Sequence, residues 1–291
     1  MNRREGGEPH RVVLITGASR GLGHATAERL ARGGWDVFAI ARHPFAESTP
    51  GQLDTTLRKS GRLFRLTADV RDAGSVREAV SAMLELTDGR LNAVVANAGI
   101  AAVGIFEDTP PGVLAALMET NYFGVLNTIR EALPALRAGR GRIVVVSSDS
   151  GAYGMPGLSG YSASKFALEG WAESVAYELR PAGIHLSIVR PGAFRTDIWQ
   201  SPIHRPDEGA PNELADSVAA SWRAAGDTAA DPSLVASTIE RVLSAKKPRL
   251  RYAVGNDARR AVVLRRVLPD SLFGRLVVRP HRGSGSHGTQ G

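Results

Sequence analysis

The sequence predicts an α/β fold: one doubly wound parallel sheet with helices on both faces. Three observations lead there. Over the first 190 residues, short apolar runs alternate with longer stretches of helical periodicity, as in strand–helix–strand units joined by right-handed crossovers. The runs are apolar at consecutive positions, not at every second one, as strands buried on both faces must be. The unusual residues fall just after the runs, where open α/β sheets hold ligands.

Taken in order, strands are expected at 12–15, 37–40, 63–67, 93–96, 143–146 and 185–189, and helices at 22–32, 73–87, 112–136 and 161–180. Residues 44–61 form a polar excursion, read as a loop with a short helix. Residues 193–228 break the alternation with small and polar residues around Trp199 and Trp222; insertions this long in a compact domain are often lids or binding loops. A last strand is expected at 250–254, then one or two short helices over 256–280, split by Pro269 because proline cannot continue a helix. The end, 281–291, is Gly/Ser-rich beyond Arg282 and reads as disordered, like the N-terminus at 1–9.

At 291 residues and 43% hydrophobic content, the chain can bury one large core. No run approaches the roughly 20 apolar residues of a membrane span, and the opening MNRREGGE lacks the apolar stretch of a signal peptide. The absence of cysteine excludes a disulfide framework and a thiolate metal site. The seven histidines form no metal pattern, so no metal is expected. These features favour a cytoplasmic protein. The net charge of +7 is unevenly spread: residues 241–291 hold 12 Lys+Arg against 2 Asp+Glu, the rest 24 against 27. The basicity therefore belongs to the C-terminal segment.

Tyr161-Ser162-Ala163-Ser164-Lys165 places a phenol and an ammonium one helical turn apart on one face. A tyrosine with a pKa of about 10 is a poor base at neutral pH. A fixed cation beside it is expected to lower that pKa toward the range useful for acid–base catalysis. The spacing alone more often marks an ordinary surface helix. Thr16-Gly17-Ala18-Ser19-Arg20-Gly21-Leu22-Gly23 follows the first strand and opens a helix. Glycines there let the backbone approach a phosphate, and the helix N-terminus supplies amide donors.

The spacing Gly-x-x-x-Gly-x-Gly resembles the cofactor loop of the short-chain dehydrogenase/reductase family, and the resemblance continues in order. Asn97-Ala98-Gly99 follows the fourth strand and looks like that family's Asn-Ala-Gly motif. Asn121 matches its helix-borne asparagine, and Ser148, 13 residues before Tyr161, its catalytic serine. Pro191-Gly192 with Thr196 resembles its nicotinamide-proximal segment, and Asp69-Val70 its adenine-contacting pair. The resemblance implies a Rossmann-type sheet and hydride exchange between alcohol and carbonyl, with Ser148, Tyr161, Lys165 and Asn121 as the catalytic set. Ser148 and Tyr161 would polarise the substrate oxygen, and Tyr161 would give or take its proton. Lys165 would bias Tyr161 and hold the nicotinamide ribose, and Asn121 would keep a water near Lys165. Ser147 should point the other way along its strand, and Ser150, Ser162 and Ser164 read as ordinary helix or turn residues. The organisation is then one dinucleotide-binding catalytic domain at 10–255, with a substrate loop about 193–228 and a basic helical extension at 256–280.

An NAD-preferring site carries Asp or Glu at the end of the second strand. Here that strand ends Ala39-Ile40-Ala41-Arg42-His43, with no acid. Arg42 and Arg20 suit a 2′-phosphate by guanidinium geometry, which favours NADP(H) over NAD(H); two solvated arginines are the plainer alternative. For Asp69 the plainer alternative is a helix cap.

Substrate walls are expected in 149–160 and 193–222, with Tyr153, Met155, Leu158, Phe194, Ile198 and Trp199 and few charges near Ser148 and Tyr161. Such walls favour a bulky apolar carbonyl compound, and hydroxysteroid and retinol dehydrogenase-like members are the branch resembled. One alternative is a ketoreductase for carrier-bound acyl or polyketide substrates, met by Arg195 and the basic tail. Another is a non-catalytic NADP(H)-binding sensor or scaffold, which would not need all four catalytic residues. Residues 246–282 set Arg259-Arg260, Arg265-Arg266, Arg275 and Arg279 among aliphatic residues. A basic amphipathic segment can rest weakly on an anionic membrane, or simply pack as an extension with solvated arginines. No aromatic platform for nucleic acid accompanies the charge. The resemblance implies a homo-oligomer, a dimer or tetramer.

Overall fold

A computed structural model describes residues 11–42, 61–205 and 212–278, and the backbone of 54–57. The expectations for 1–9 and 281–291 lie outside the described residues. In chain order the elements are β1 (Arg11–Thr16), α1 (Gly21–Arg32), β2 (Trp35–Ala41), β3 (Asp54–Leu57), β4 (Arg62–Thr67), α2 (Ala73–Leu86), β5 (Ala93–Ala96), α3 (Pro111–Met118), α4 (Gly124–Gly139), β6 (Arg142–Val146), α5 (Ser159–Leu179), β7 (His185–Pro191), α6 (Glu213–Asp227), α7 (Ser233–Ser244), β8 (Arg251–Val254), α8 (Asn256–Val267) and α9 (Asp270–Val278). They build one sheet in the order β3-β4-β2-β1-β5-β6-β7-β8. Every pairing is parallel except that of β3 with β4.

The continuous apolar runs are explained by the two faces of this sheet. Val12, Leu14, Phe38, Ile40, Ile143 and Val145 pack against Val76 of α2, Ile129 of α4 and Leu168 of α5. Their neighbours Val13, Ile15, Val37, Ala39, Val144 and Val146 pack the opposite way, against Leu30 of α1 and Ile239 of α7. Successive strand residues point to opposite faces, so a sheet covered on both sides needs apolar residues at every position. The strand order reverses between β2 and β5, on either side of β1. This switch point leaves a crevice at the C-terminal strand ends.

Two expectations are corrected. The single helix expected at 112–136 is α3 and α4 joined by a π-helical turn, Glu119–Phe123, and such turns often mark functional sites. Within 44–61, the described part is not a short helix but the edge strand β3; its Thr55-Thr56 suits a strand, and its register on β4 runs from Asp54↔Arg65 to Leu57↔Arg62. The rest of that excursion lies outside the described residues. At the other edge, α8 and α9 double back beyond β8, and Phe273 of α9 stacks edge-on against Tyr153 with centroids 5.4 Å apart. The C-terminal extension therefore covers part of the region just after β6.

Candidate active site

The glycine loop is folded tightly against the end of β5. Gly17 and Gly21 hold φ of +66° and +59°, a region other residues enter with strain. A Cβ on Gly17 would lie 2.7 Å from the Ala98 Cα, and one on Gly23 2.3 Å from the Gly17 carbonyl oxygen. Thr16 Oγ1 accepts from the backbone N–H groups of Asn97 and Ala98, each at 3.1 Å. Asn97 Nδ2 donates to the carbonyls of Thr16 and Gly17 at 3.0 and 3.1 Å. Arg20, the N-cap of α1, makes no side-chain cap hydrogen bond, and the first turn, which contains Leu22, holds no acid. The first amides of α1 thus face the crevice uncapped, beside exposed Ser19, with the dipole favouring an anion. The Thr196 methyl stands across from Gly21, 3.1 Å from where a Cβ would be. This cradle fits a pyrophosphate.

At the C-terminal end of β2, Ala41 closes the strand and Arg42 follows it, with no acid. The strand's one carboxylate, Asp36, sits at its other end, buried beside Arg62 at 2.6 Å. Arg20 reaches Asp197 at 3.2 Å, an exposed pair. Asp69 is held by Arg71 at 2.6 Å, and that hydrogen bond, with the charge of Arg42 as a smaller contribution, keeps its carboxyl below the usual range. The cap of α2 is Asp72, which accepts from Gly74 N at 2.8 Å; the capping alternative for Asp69 is thereby ruled out. Val70 is buried against Gly124, whose added Cβ would lie 2.7 Å from Val70 Cγ2.

Ser148, Asn121, Tyr161 and Lys165 come together and are all buried. Ser148 follows β6, and Tyr161 and Lys165 share one face of α5. The Lys165 Nζ donates to the Val146 carbonyl at 3.1 Å and lies 5.7 Å from the Tyr161 ring centroid. The π turn delivers Asn121, whose Oδ1 accepts from Ile100 N at 2.8 Å. Its Nδ2 donates to Ile100 O at 2.9 Å and to Ser164 Oγ at 3.0 Å. Ser164 donates in turn to the Tyr161 carbonyl at 2.7 Å, so it links Asn121 to α5 rather than serving as a plain helix polar. Gly99 lies between these groups: a Cβ there would be 3.2 Å from Asn121 Oδ1 and 3.6 Å from Lys165 Nζ.

The electrostatics differ from the expectation. Burial raises Tyr161 to about 12, against the pull of a Ser148 hydrogen bond and with Asp149 adding to the rise. Burial also lowers Lys165 to about 8, opposed by Glu169. Loss of solvation outweighs the pairing expected from helical spacing, because both groups lie under the same apolar cover and the ammonium is directed at Val146 O.

Three residues near Ser148 were not anticipated. Asp149 receives the Ser148 hydroxyl at 2.9 Å, Ser150 N at 2.8 Å and the Tyr153 hydroxyl at 2.8 Å. Asp257, at the start of α8, accepts from Ala193 N at 2.7 Å and presses on Gly192, where a Cβ would lie 2.2 Å from its Oδ2. Glu169 is buried between Arg190, at 2.6 Å, and Arg251, at 3.1 Å, tying α5 to β7 and β8. In the sequence only adjacency to Ser148 singled out Asp149; Asp257 and Glu169 carry no local signal.

Beside Tyr161 lies an apolar cluster of Ala102, Val103, Leu117, Leu158 and Val218, edged by Met155, Ile198 and Trp222. Phe194, expected on the substrate wall, is instead 2% exposed and packed in the sheet core with Val189 and Val254; the isolated bridge Phe194↔Ala230 holds it there. Trp199 donates to Phe194 O at 2.7 Å and packs on Trp222 with centroids 4.5 Å apart. Tyr153 is buried under α9 with its hydroxyl on Asp149. Thr196 caps the short helical turn at Asp197–Gln200, and Pro191 ends β7.

A glycine-lined anion cradle at the switch point, with a buried Ser-Tyr-Lys-Asn cluster beside it, defines an oxidoreductase of the doubly wound class. The short chain dehydrogenase model matches residues 11–206. A 3-ketodihydrosphingosine reductase of Bacteroides thetaiotaomicron is 33% identical, over 84% of this chain and 87% of its own length. Human 17-beta-hydroxysteroid dehydrogenase type 1 is 34% identical, over 83% of this chain and 76% of its own. The crystal structure of a short-chain dehydrogenase from Streptomyces avermitilis superposes with a TM-score of 0.76 at 32% identity, covering 92% of this chain and 95% of that one. The chain belongs to the short-chain dehydrogenase/reductase family, enzymes acting between an alcohol and a carbonyl.

Proposed function

We propose that this enzyme is an NADP(H)-dependent oxidoreductase interconverting an alcohol and a carbonyl on a bulky apolar substrate. The observation that carries it is the convergence of Ser148, Tyr161, Lys165 and Asn121 beside the aliphatic cluster at the C-terminal strand ends. The nicotinamide, when bound, gives or takes the hydride at the substrate carbon. The chain's own residues handle the oxygen. Ser148 and Tyr161 hold it by hydrogen bonds that strengthen as charge develops. In reduction Tyr161 donates its proton to that oxygen; in oxidation it removes one. Burial that raises Tyr161 to about 12 keeps it a phenol at neutral pH, the proton-carrying form that reduction needs. In oxidation the Lys165 ammonium stabilises the phenolate as it forms. Asn121 and Ser164 keep α5 and the loop after β5 in register. The α1 amides with Gly17, Gly21 and Gly23 would hold the pyrophosphate, and Lys165 the nicotinamide ribose.

The NADP(H) preference rests on β2 ending at Ala41 with Arg42, and no acid, directly after it. The substrate class rests on the aliphatic cluster, and two relatives are named for a hydroxysteroid and a 3-ketodihydrosphingosine. Arg195, the side chain a carrier-bound acyl group would meet, is paired with Asp231 at 2.8 Å. Exposed Phe123, Phe166 and Tyr177 support self-association through α5 and the π turn. Exposed Val263, Val267 and Leu276 beside Arg260, Arg266 and Arg275 support weak association of α8 and α9 with anionic lipid; no co-sedimentation with anionic vesicles at low salt would dismiss it. The decisive experiment follows absorbance of NADPH and NADH against steroid, retinoid, aliphatic and quinone carbonyls, with Tyr161→Phe alongside. Loss of turnover with cofactor affinity retained is expected; wild-type turnover in that variant would overturn the mechanism.

A further inference from the structure

We propose that Asp197 is a specificity-determining residue for the cofactor. Its carboxylate competes with the 2′-phosphate of NADP(H) for the Arg20 guanidinium, and so limits the preference over NAD(H). The proposal rests on the NADP(H) reading given above and adds the group that tempers it.

The two rims of the cofactor crevice meet at this pair. One rim is the glycine loop, where Arg20 is the N-cap of α1 but makes no side-chain cap hydrogen bond. The other is the segment after β7. It lays the Thr196 methyl 3.1 Å from where a Gly21 Cβ would be and then enters the short helical turn Asp197–Gln200. Arg20 Nη1 stands 3.2 Å from Asp197 Oδ2 across the gap. The turn carrying Asp197 is anchored through Trp199, which donates from Nε1 to Phe194 O at 2.7 Å and accepts from Trp222 Nε1 at 3.2 Å. Arg20 is the freer partner, with its side chain 72% exposed against 43% for Asp197.

Carboxylate and phosphate oxygens occupy the same fork of guanidinium donors. A donor given to Asp197 is therefore withdrawn from a phosphate. NAD(H) lacks the 2′-phosphate, so Arg20 distinguishes the two cofactors only as far as Asp197 releases it. Asp69, the carboxylate after β4, has its own arginine, Arg71, at 2.6 Å. The carboxylate that engages Arg20 is that of Asp197.

The test needs binding alone and no substrate. Dissociation constants for NADPH and NADH are measured by nicotinamide fluorescence in the wild type, Asp197→Asn, Arg20→Gln and the double variant. Exposed ion pairs are weak, so the ratio of the NADH constant to the NADPH constant should rise about threefold in Asp197→Asn, and by no more than about fivefold. It should fall in Arg20→Gln. Once Arg20 is gone, Asp197→Asn should leave the ratio unchanged. A charge acting at long range on the phosphates would instead raise the ratio equally in both backgrounds. Added salt should shrink the increment, and Asp197→Ala repeats the measurement with the neutral acceptor of asparagine removed as well. An unchanged ratio in both Asp197 variants, or an equal rise with and without Arg20, would overturn the proposal. If Arg20→Gln leaves the ratio unchanged, the assignment of the 2′-phosphate to Arg20 fails together with it. If Arg20→Gln lowers the ratio but neither Asp197 variant raises it, only the role of Asp197 fails.

Discussion

Replacing Lys165 by Met should stabilise the protein at neutral pH while removing its activity. Lys165 is 4% exposed, and burial lowers its pKa from 10.5 to about 8 despite Glu169. In the unfolded chain a lysine titrates near 10.4. Between about 8 and 10.5 the unfolded chain therefore binds more protons than the folded one, so stability rises with pH through that window. Below it the whole penalty is present. At about 1.36 kcal/mol per pKa unit, the buried charge costs the fold about 3 kcal/mol at pH 7. Methionine has a similar shape and no charge to desolvate. The variant should thus exceed the wild type by up to about 3 kcal/mol at pH 7, with the gap about 2 kcal/mol smaller at pH 9.5. Urea unfolding at the two pH values, with slopes compared to exclude a changed denatured state, measures it. An identical gap at both pH values would refute the reasoning, since it would mean that the ammonium is not held out of water. Loss of function with gained stability is the expected trade at a strained site.

Other outcomes follow from the same geometry. Glu169→Ala leaves Arg190, 12% exposed at its side chain, without its bidentate partner, and should cost about 3–5 kcal/mol; Glu169→Leu with Arg190→Met should recover most of that in chemical denaturation. Gly23→Ala drives a methyl toward the Gly17 carbonyl, 2.3 Å away, and should weaken NADPH binding more than about tenfold by fluorescence titration, with a smaller loss of thermal stability. Arg42→Asp places an acid where β2 ends and should shift the ratio of kcat/KM from NADPH toward NADH by at least about tenfold; an unchanged ratio would sever the link between Arg42 and the 2′-phosphate.

Much of the fold could be read in the sequence because its signals are local. Continuous apolar runs such as Val12–Ile15 report burial on both faces wherever they occur, and the observed strands extend each by at most a few residues. The π turn could not be read this way, since Thr120-Asn121-Tyr122 carries nothing that distinguishes an α-helical register from a wider one. Nor could β3, a short edge strand inside a polar stretch. At the site, the spacing placed Tyr161 and Lys165 on one helix face but said nothing of their electrostatics, which depend on how much protein closes over both groups. Phe194 looked like a substrate contact from its place in the chain; the bridge to Ala230 turned it into the core.

By itself, the sequence determined the sheet class, the glycine turn after the first strand and the placing of Tyr161 and Lys165 on one helix face. Each depends on residues close together along the chain: a strand followed by a glycine turn, or a helix face repeating every four positions. Only the tertiary structure decided what surrounds the Ser148 and Tyr161 hydroxyls. Asp257 and Phe273, more than a hundred residues beyond Ser148, reach back across β8 to enclose Asp149 and Tyr153. Burial and charge act through space, so the shifts of Tyr161 and Lys165 depend on packing that no local spacing encodes.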